Sequence, residues 1–480
     1  MIKIRVLPIM AVLILVLQNA TCLAQTFEEV LGYGLPVVVV TTTDGEEPTS
    51  EIIDHPAGPW VGKGITNIVP KYGRVQVWRG DTVWYDSGDY VDGESGMKIR
   101  HRGNTSATTT GNRPFKLKLQ KKADLIEKRY DNDTRDMRSK DWLLLNYSYS
   151  VETPVAFQLS SLVGMEYTPR VEFVNVMFNG NYHGMYILSE SISREAGCRI
   201  TVDKEDGYII ELDPYCWNST FSIKSRLCGF MDWTLKYPDA EDLTPEQEAN
   251  IRSDIERLEA SLTGTDYPQV IDVRSFVRWI MVHDIMGTRD AAGCNIYIAR
   301  TDRDSTSLMR MPAVWDMTSS SMMVADEWCR THTYPGIRLF PDLFENDQSL
   351  EFTRTYIEEW KRIKEEHVID SLIAWTDWFA TTPEAAGIRG SVQHHMQRWN
   401  IGYGLTDVSG YLRSAKKWMI KREQWIDEQI AAMEDIYTGV PVAQESQDDN
   451  KYEARKVLRD KHLYIIKDNE TYAIDGKRIE

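Results

Sequence analysis

The 480-residue chain is short of several things, and each shortage excludes something. It has 6 cysteines and no Cys-x-x-Cys pair, which argues against a structural zinc site. It has neither a Walker A loop nor a Gly-x-Gly-x-x-Gly turn, so both common phosphate-loop classes are missing. It is short of positive charge, with 55 Lys+Arg against 72 Asp+Glu and a formal net charge of −17. That balance argues against nucleic acid as a partner and offers no attraction to an anionic membrane surface. Long apolar runs are also scarce: after residue 24 none reaches 18 residues, so no transmembrane segment is expected in the mature chain.

What remains is ordinary globular composition, 42% hydrophobic and 26% charged. At roughly 150 residues per domain, the length allows two to four domains. Met1 to Ala24 carries Lys3 and Arg5, an apolar stretch from Ile9 to Leu17, and Cys22-Leu23-Ala24 at its end. This is the pattern of a secretory signal peptide cleaved near Ala24, and the apolar part is too short to span a bilayer. Lipidation of Cys22 is the competing reading, which Asn19 and Thr21 fit poorly. The expected location is therefore exported: periplasmic, cell-surface or secreted. Export permits disulfides, and Cys216 with Cys228, flanking a hairpin, is the expected pair.

The pattern divides the mature chain into an N-terminal β-rich region (25–96), a main unit (97–436), a polar linker (437–453) and a β tail (454–480). Strands are expected at Val37–Thr43, Val75–Trp78, Thr82–Tyr85, Met97–Arg102, Phe115–Leu119 and Gly207–Asp213, with a hairpin turning at Asn179-Gly180. Thr244-Pro245-Glu246-Gln247 reads as a capping box opening a helix. A further helix is expected at Asp272–Met286, then a hairpin of Asn295–Ala299 with Leu308–Trp315, then nearly continuous helix to Met433. Trp360, Trp375, Trp378, Trp399, Trp418 and Trp425 recur at helical spacing and read as core.

Three groups of polar residues carry candidate chemistry. Arg289-Asp290, four residues, then Asn295 reproduces a spacing that protein kinases use for a catalytic carboxylate and a magnesium-binding amide. Asp316 ends the expected strand Met309–Trp315, where a hairpin would return it beside Asn295; two hard oxygen ligands suit magnesium. In Pro114-Phe115-Lys116-Leu117-Lys118-Leu119, alternation puts Lys116 and Lys118 on one strand face, from which a lysine can reach phosphates. Arg102-Gly103-Asn104 supplies an upstream loop able to face the same phosphates. Each also has a plain structural reading: loop caps, a sheet edge, a solvated strand face.

On these residues the chain resembles the CotH kinases, relatives of the spore coat protein H with an atypical kinase-like fold. The landmarks are IRHRGNTS (99–106), RPFKLKL (113–119), KDWLLLNYS (140–148), NVMFNGNYHGMYILSE (175–190), GYIIELD (207–213), LKYPD (235–239) and AVWDM (313–317). The resemblance implies an α+β, two-lobed kinase-like fold, with a β-rich first lobe and a mainly helical second. It implies ATP and Mg2+ as cofactors, and transfer of the γ-phosphate to Ser or Thr of a protein, the chain itself included. Carried over by position, Asp290 is the catalytic aspartate, Asn295 and Asp316 hold the metal, Lys118 (with Lys116 as fallback) binds phosphate, and Glu190 lines the adenine pocket. Two departures point to the alternative of a weak or inactive envelope or scaffold protein. Thr318 stands where the family commonly has an acid, and 146–153 lacks the family's Asp and Arg. The tail from 454 looks like those of exported Bacteroidetes proteins.

Overall fold

The computed structural model describes residues 25–54, 63–108, 111–130, 134–146, 150–227, 229–289, 295–317, 321–329 and 337–434, with backbone alone for 435–438 and three short tail strands. Residues 1–24, where a signal peptide was expected, 147–149, Cys228, Asp290, Cys294, Thr318 and 439–453 lie outside the described residues.

The first part closes on itself. After a short helix, α1 (Phe27–Leu31), come strands β1 (Val37–Thr42), β2 (Thr49–Asp54), β3 (Lys63–Val69), β4 (Lys71–Arg79), β5 (Thr82–Asp86) and β6 (Met97–His101). A single turn, α2 (Thr105–Thr108), then leads to β7 (Phe115–Ala123), β8 (Ser139–Leu145), α3 (Glu152–Val163) and the hairpin β9 (Val171–Phe178) and β10 (Asn181–Glu190). The sheet runs β1-β9-β10-β8-β7-β6-β4, and β1 also pairs with β4, which closes a barrel with β5 alongside. The sequence pattern led only to open antiparallel sheet. Closure depends on β1 lying parallel to β9 and antiparallel to β4, pairings far apart in sequence. The Asn179-Gly180 turn is where it was expected, both residues having positive φ (47° and 79°), as a two-residue hairpin of the primed type requires.

Alternation explains the packing. Trp142 and Leu144 of β8, Val174 and Val176 of β9, and Tyr186 and Leu188 of β10 fill the barrel with Val75, Ile99, Phe115 and Leu117. The intervening Leu143, Leu145, Phe173, Met185 and Ile187 face outward and join a larger core with the helices. Strands buried on both faces read as nearly continuous apolar runs. Each such side chain contributes about 1.5–3 kcal/mol relative to exposure.

A second sheet, β12-β13-β11-β14, follows: β11 (Tyr208–Asp213), β12 (Ser222–Lys224), β13 (Asp232–Tyr237) and β14 (Ile296–Arg300). Its apolar face takes α4 (Pro245–Ser261), which opens on the expected capping box, Thr244 with Gln247. Tyr208 donates to Asp254 (3.0 Å) and the Trp233 indole to Glu259 (2.8 Å), fixing the helix on the sheet. Then come α5 (Val273–Met286), α6 (Leu339–Glu345), α7 (Glu351–Glu365), α8 (Val368–Phe379), α9 (Pro383–Trp399) and α10 (Val408–Thr438). The tail backbone forms three antiparallel strands, β15 (Ala454–Arg459), β16 (His462–Lys467) and β17 (Glu470–Ala473).

One expectation fails. Leu308–Trp315 is not a strand: only isolated bridges at Met309 and Arg310 form, and 311–317 runs without a ladder because its core-facing side chains, not backbone pairing, hold it. The expected pairing of Cys216 with Cys228 falls on a residue outside the described ones. Among the described residues no helix is long and apolar enough to cross a membrane.

Candidate active site between the barrel and the second sheet

The two sheets meet where β6 ends. Its last residues lead into Arg102-Gly103, a turn that Gly103 makes with φ 79°; a Cβ there would lie 2.4 Å from the Ser106 hydroxyl oxygen. The Arg102 N–H donates to Pro114 O (3.0 Å), and the Asn146 amide, at the end of β8, donates to Ser106 O and Asn112 O (both 2.8 Å). The loop is thus braced from below. Its Arg102 guanidinium sits 6.0 Å from the Trp315 ring centroid, so the barrel reaches the residue preceding Asp316.

Asp316 is held by its neighbours. Trp315 stacks on Phe157 of α3 (6.1 Å between centroids), and the Thr153 hydroxyl donates to Met317 O (3.1 Å). Asp316 itself has φ 55°, and Asn295, just before β14, has φ 64°. Left-handed backbone outside glycine is tolerated best by Asn and Asp, and it recurs at sites where a side chain must be aimed. Both of the residues assigned to the metal therefore share an unusual backbone.

The polar face of the second sheet completes the cleft. Along β11, Leu212 and Ile210 turn into the core while Glu211 and Asp213 turn away. Glu211 pairs across the ladders with Tyr297 of β14 and Thr234 of β13. A bulge between Ile209 and Ile210 displaces Lys236 towards Glu211, with which it forms an ion pair. Burial pulls the Lys236 ammonium down, but Glu211 and Asp213 outweigh it and hold it above its usual value. Burial, reinforced by the Glu211 charge, pushes Asp213 up to about 6. Its carboxylate accepts from the Tyr215 N–H (2.7 Å) and the Thr234 hydroxyl (3.3 Å). The β11–β14 register ends at Leu212 opposite Ile296, so the next pair along is Asp213 and Asn295. Arg102 also acts electrostatically on Lys236 and Tyr297, lowering both.

On the barrel wall, Lys116 lies 2.8 Å from Asp141 of β8. Burial alone would raise the Asp141 carboxyl, yet Lys116 holds it below the usual carboxylate range. Arg100, opposite Lys116 in the ladder, has its guanidinium pulled down by burial and by Arg102. Lys118 is exposed, paired in register with Lys98 and Asp141. The structure thus singles out Lys116, not Lys118, as the lysine with a fixed carboxylate partner. Glu190, expected at an adenine pocket, is fully buried, and its carboxylate accepts from the Arg170 backbone N–H (2.9 Å) and guanidinium (2.8 Å). Asp290 lies outside the described residues.

Sequence reasoning missed Glu211, Asp213, Lys236, Tyr297, Arg100 and Asp141. Their signal was available as strand alternation: in Ile209-Ile210-Glu211-Leu212-Asp213 the acids share a face.

Chemically, these residues offer cationic groups for an anion and oxygen donors for a hard cation. Among the described residues no three His, Cys, Asp or Glu side chains gather as a metal site. An α+β protein with a basic barrel wall over a carboxylate-bearing sheet is the class that fold and site define. Residues 99–426 match the family model described as CotH kinase protein, which covers more than half of the chain, and the chain belongs to the CotH kinase family. Membership carries kinase-type chemistry, with ATP and a divalent cation in general and a protein as acceptor. No curated protein matches the chain.

Proposed function

We propose that this is an exported protein kinase that transfers the γ-phosphate of ATP to Ser or Thr hydroxyls with Mg2+, in a two-lobed arrangement of barrel and helical unit. The observation that carries the reading is Arg102, which spans from the barrel loop to Trp315 and so ties the cationic wall to Asp316. Phosphoryl transfer asks little covalent chemistry of the protein and much positioning and charge neutralisation. Arg102 and Lys116 neutralise the phosphates, Asn295 and Asp316 hold the cation, and Asp290 accepts the proton of the attacking hydroxyl. Export follows from the signal segment at 1–24, and the tail strands suit a Bacteroidetes envelope protein.

A second reading, a catalytically weak family member acting as an envelope scaffold, is favoured by Thr318 in place of the usual acid. One experiment separates them. Purified protein is incubated with γ-labelled ATP, Mg2+ and a mixed protein substrate, beside Asp290→Ala and Asp316→Ala variants of matched melting temperature. Labelling by the wild type alone supports the kinase. Absence of both labelling and Mg-ATP-induced thermal stabilisation supports the scaffold.

A further inference from the structure

We infer that Asp284, clamped by Arg422, is a positioning residue that locks the segment entering the Asp290 loop to the segment leaving Asp316. The inference rests on the kinase reading for its catalytic consequence, though not for its geometry.

Asp284 lies in the last turn of α5 and is 0% exposed; Arg422 of α10 is 1% exposed. One Asp284 oxygen accepts the Cys329 N–H (2.7 Å) and the other accepts the Tyr356 hydroxyl of α7 (2.8 Å). Arg422 donates through Nε to the Asp284 carbonyl (2.6 Å) and through Nη1 to the Ala325 carbonyl (2.9 Å), and its Nη2 stands 3.9 Å from the Asp284 carboxylate. Three more bonds stitch the same two segments: Met322 N–H to Met286 O (2.6 Å), and the Met323 and Val324 N–H groups to Gly287 O (3.1 and 3.2 Å). Gly287 ends the helix with φ 58°, and Trp418 of α10 lies so close that a Cβ there would meet its ring at 2.3 Å.

Gly287 precedes Asp290 by three residues, and Ser321 follows Asp316 by five. The described residues that follow α5 and those at 322–329, which flank the two aspartates in sequence, are therefore fastened together by one buried carboxylate and one buried guanidinium. Two hydrogen bonds accepted by the Asp284 carboxylate and two donated by the Arg422 guanidinium to backbone carbonyls fix the arrangement of these buried groups. Misplacing reacting groups by about 1 Å can cost about 100-fold in rate, which is what such a lock prevents.

The test compares Asp284→Ala, Asp284→Asn and the milder Tyr356→Phe in the full chain, each assayed well below its melting temperature. Two readouts are taken: hydrogen exchange of peptides covering 283–289 and 321–329, and kcat and KM for ATP. The lock predicts that both peptides lose protection together in Asp284→Ala and that kcat falls about 10- to 100-fold with KM within about threefold. Asp284→Asn, which keeps one of the two acceptor oxygens, recovers part of both, and Tyr356→Phe lies between it and the wild type. Loss of protection in 321–329 alone, or a lowered melting temperature with unchanged kcat, overturns it. If the wild type proves inactive, the kinase reading fails, and exchange alone decides the lock: coupled loss upholds it, independent loss refutes it.

Discussion

The Arg102 guanidinium lies 6.0 Å from the centre of the Trp315 ring, joining the loop that leaves β6 to the residue before Asp316. A guanidinium over an indole is held by the ring quadrupole and by shape, which an ammonium does not reproduce. Arg102→Lys is therefore expected to behave nearly like Arg102→Ala. Both should weaken Mg-ATP binding about tenfold or more by calorimetry, at nearly unchanged melting temperature, since removing one fixed donor to a phosphate costs about that much or more. Full affinity in Arg102→Lys would mean that only charge matters there.

Lys116 and Lys118 sit two residues apart on one strand face, yet only Lys116 is fixed on a carboxylate, Asp141 at 2.8 Å. Lys116→Ala should reduce turnover by about 100-fold, and Lys118→Ala by less than about fivefold. A reversed order in side-by-side kcat/KM measurements would restore Lys118 to the phosphate.

Asp213 carries its own penalty. Burial and the Glu211 charge push its carboxyl up to about 6 in the fold, against 3.8 ordinarily. The folded protein thus binds the proton more tightly than the unfolded chain; the penalty is full above pH 6 and gone below pH 3.8. Asp213→Asn should stabilise the protein by about 1–3 kcal/mol at pH 7.5 and by nothing measurable near pH 4. Urea midpoints at the two pH values check this. If the residue serves the cleft, the same variant should lose activity while gaining stability.

His395 gives a pH effect of the opposite sign. Its Nδ1 accepts the Met185 N–H (3.0 Å), which requires the neutral ring, and burial pulls the imidazole down from 6.5 to about 4. The unfolded chain takes up the proton first, so this contribution to stability is whole above pH 6.5 and is lost as pH falls to 4. His395→Gln should flatten the decline in urea midpoint between pH 6.5 and 4.5 relative to the wild type. An unchanged slope would remove His395 as the cause.

Much of the fold could be read from local chemistry. The Asn179-Gly180 turn, the Thr244 capping box and the helices from α7 onward depend on residues close in sequence, and each stands where it was expected. Barrel closure did not announce itself, because β1 must find both β4 and β9, and nothing in Val37-Val38-Val39-Val40 states its partners. The Leu308–Trp315 run was rich enough in apolar residues to look like a strand but gains its order from packing on the core. At the candidate site, Arg102, Lys116, Asn295 and Asp316 were named from motif spacing, and Glu190 was named by position, although a carboxylate near the end of a strand looks the same whether it meets a ligand or, as here, Arg170. Glu211 and Asp213 share a face by alternation, but Lys236 joins them only through the bulge between Ile209 and Ile210, which local sequence does not state.

The account stands on Asp316 and Arg102 serving one nucleotide. The most direct measurement is calorimetric titration of the wild type and Asp316→Ala with ATP, each with and without Mg2+. The account predicts saturable binding by the wild type that strengthens at least about tenfold with Mg2+, and binding by Asp316→Ala that no longer responds to the cation. Equal Mg2+ dependence in both proteins, or no ATP binding by the folded wild type, would contradict it.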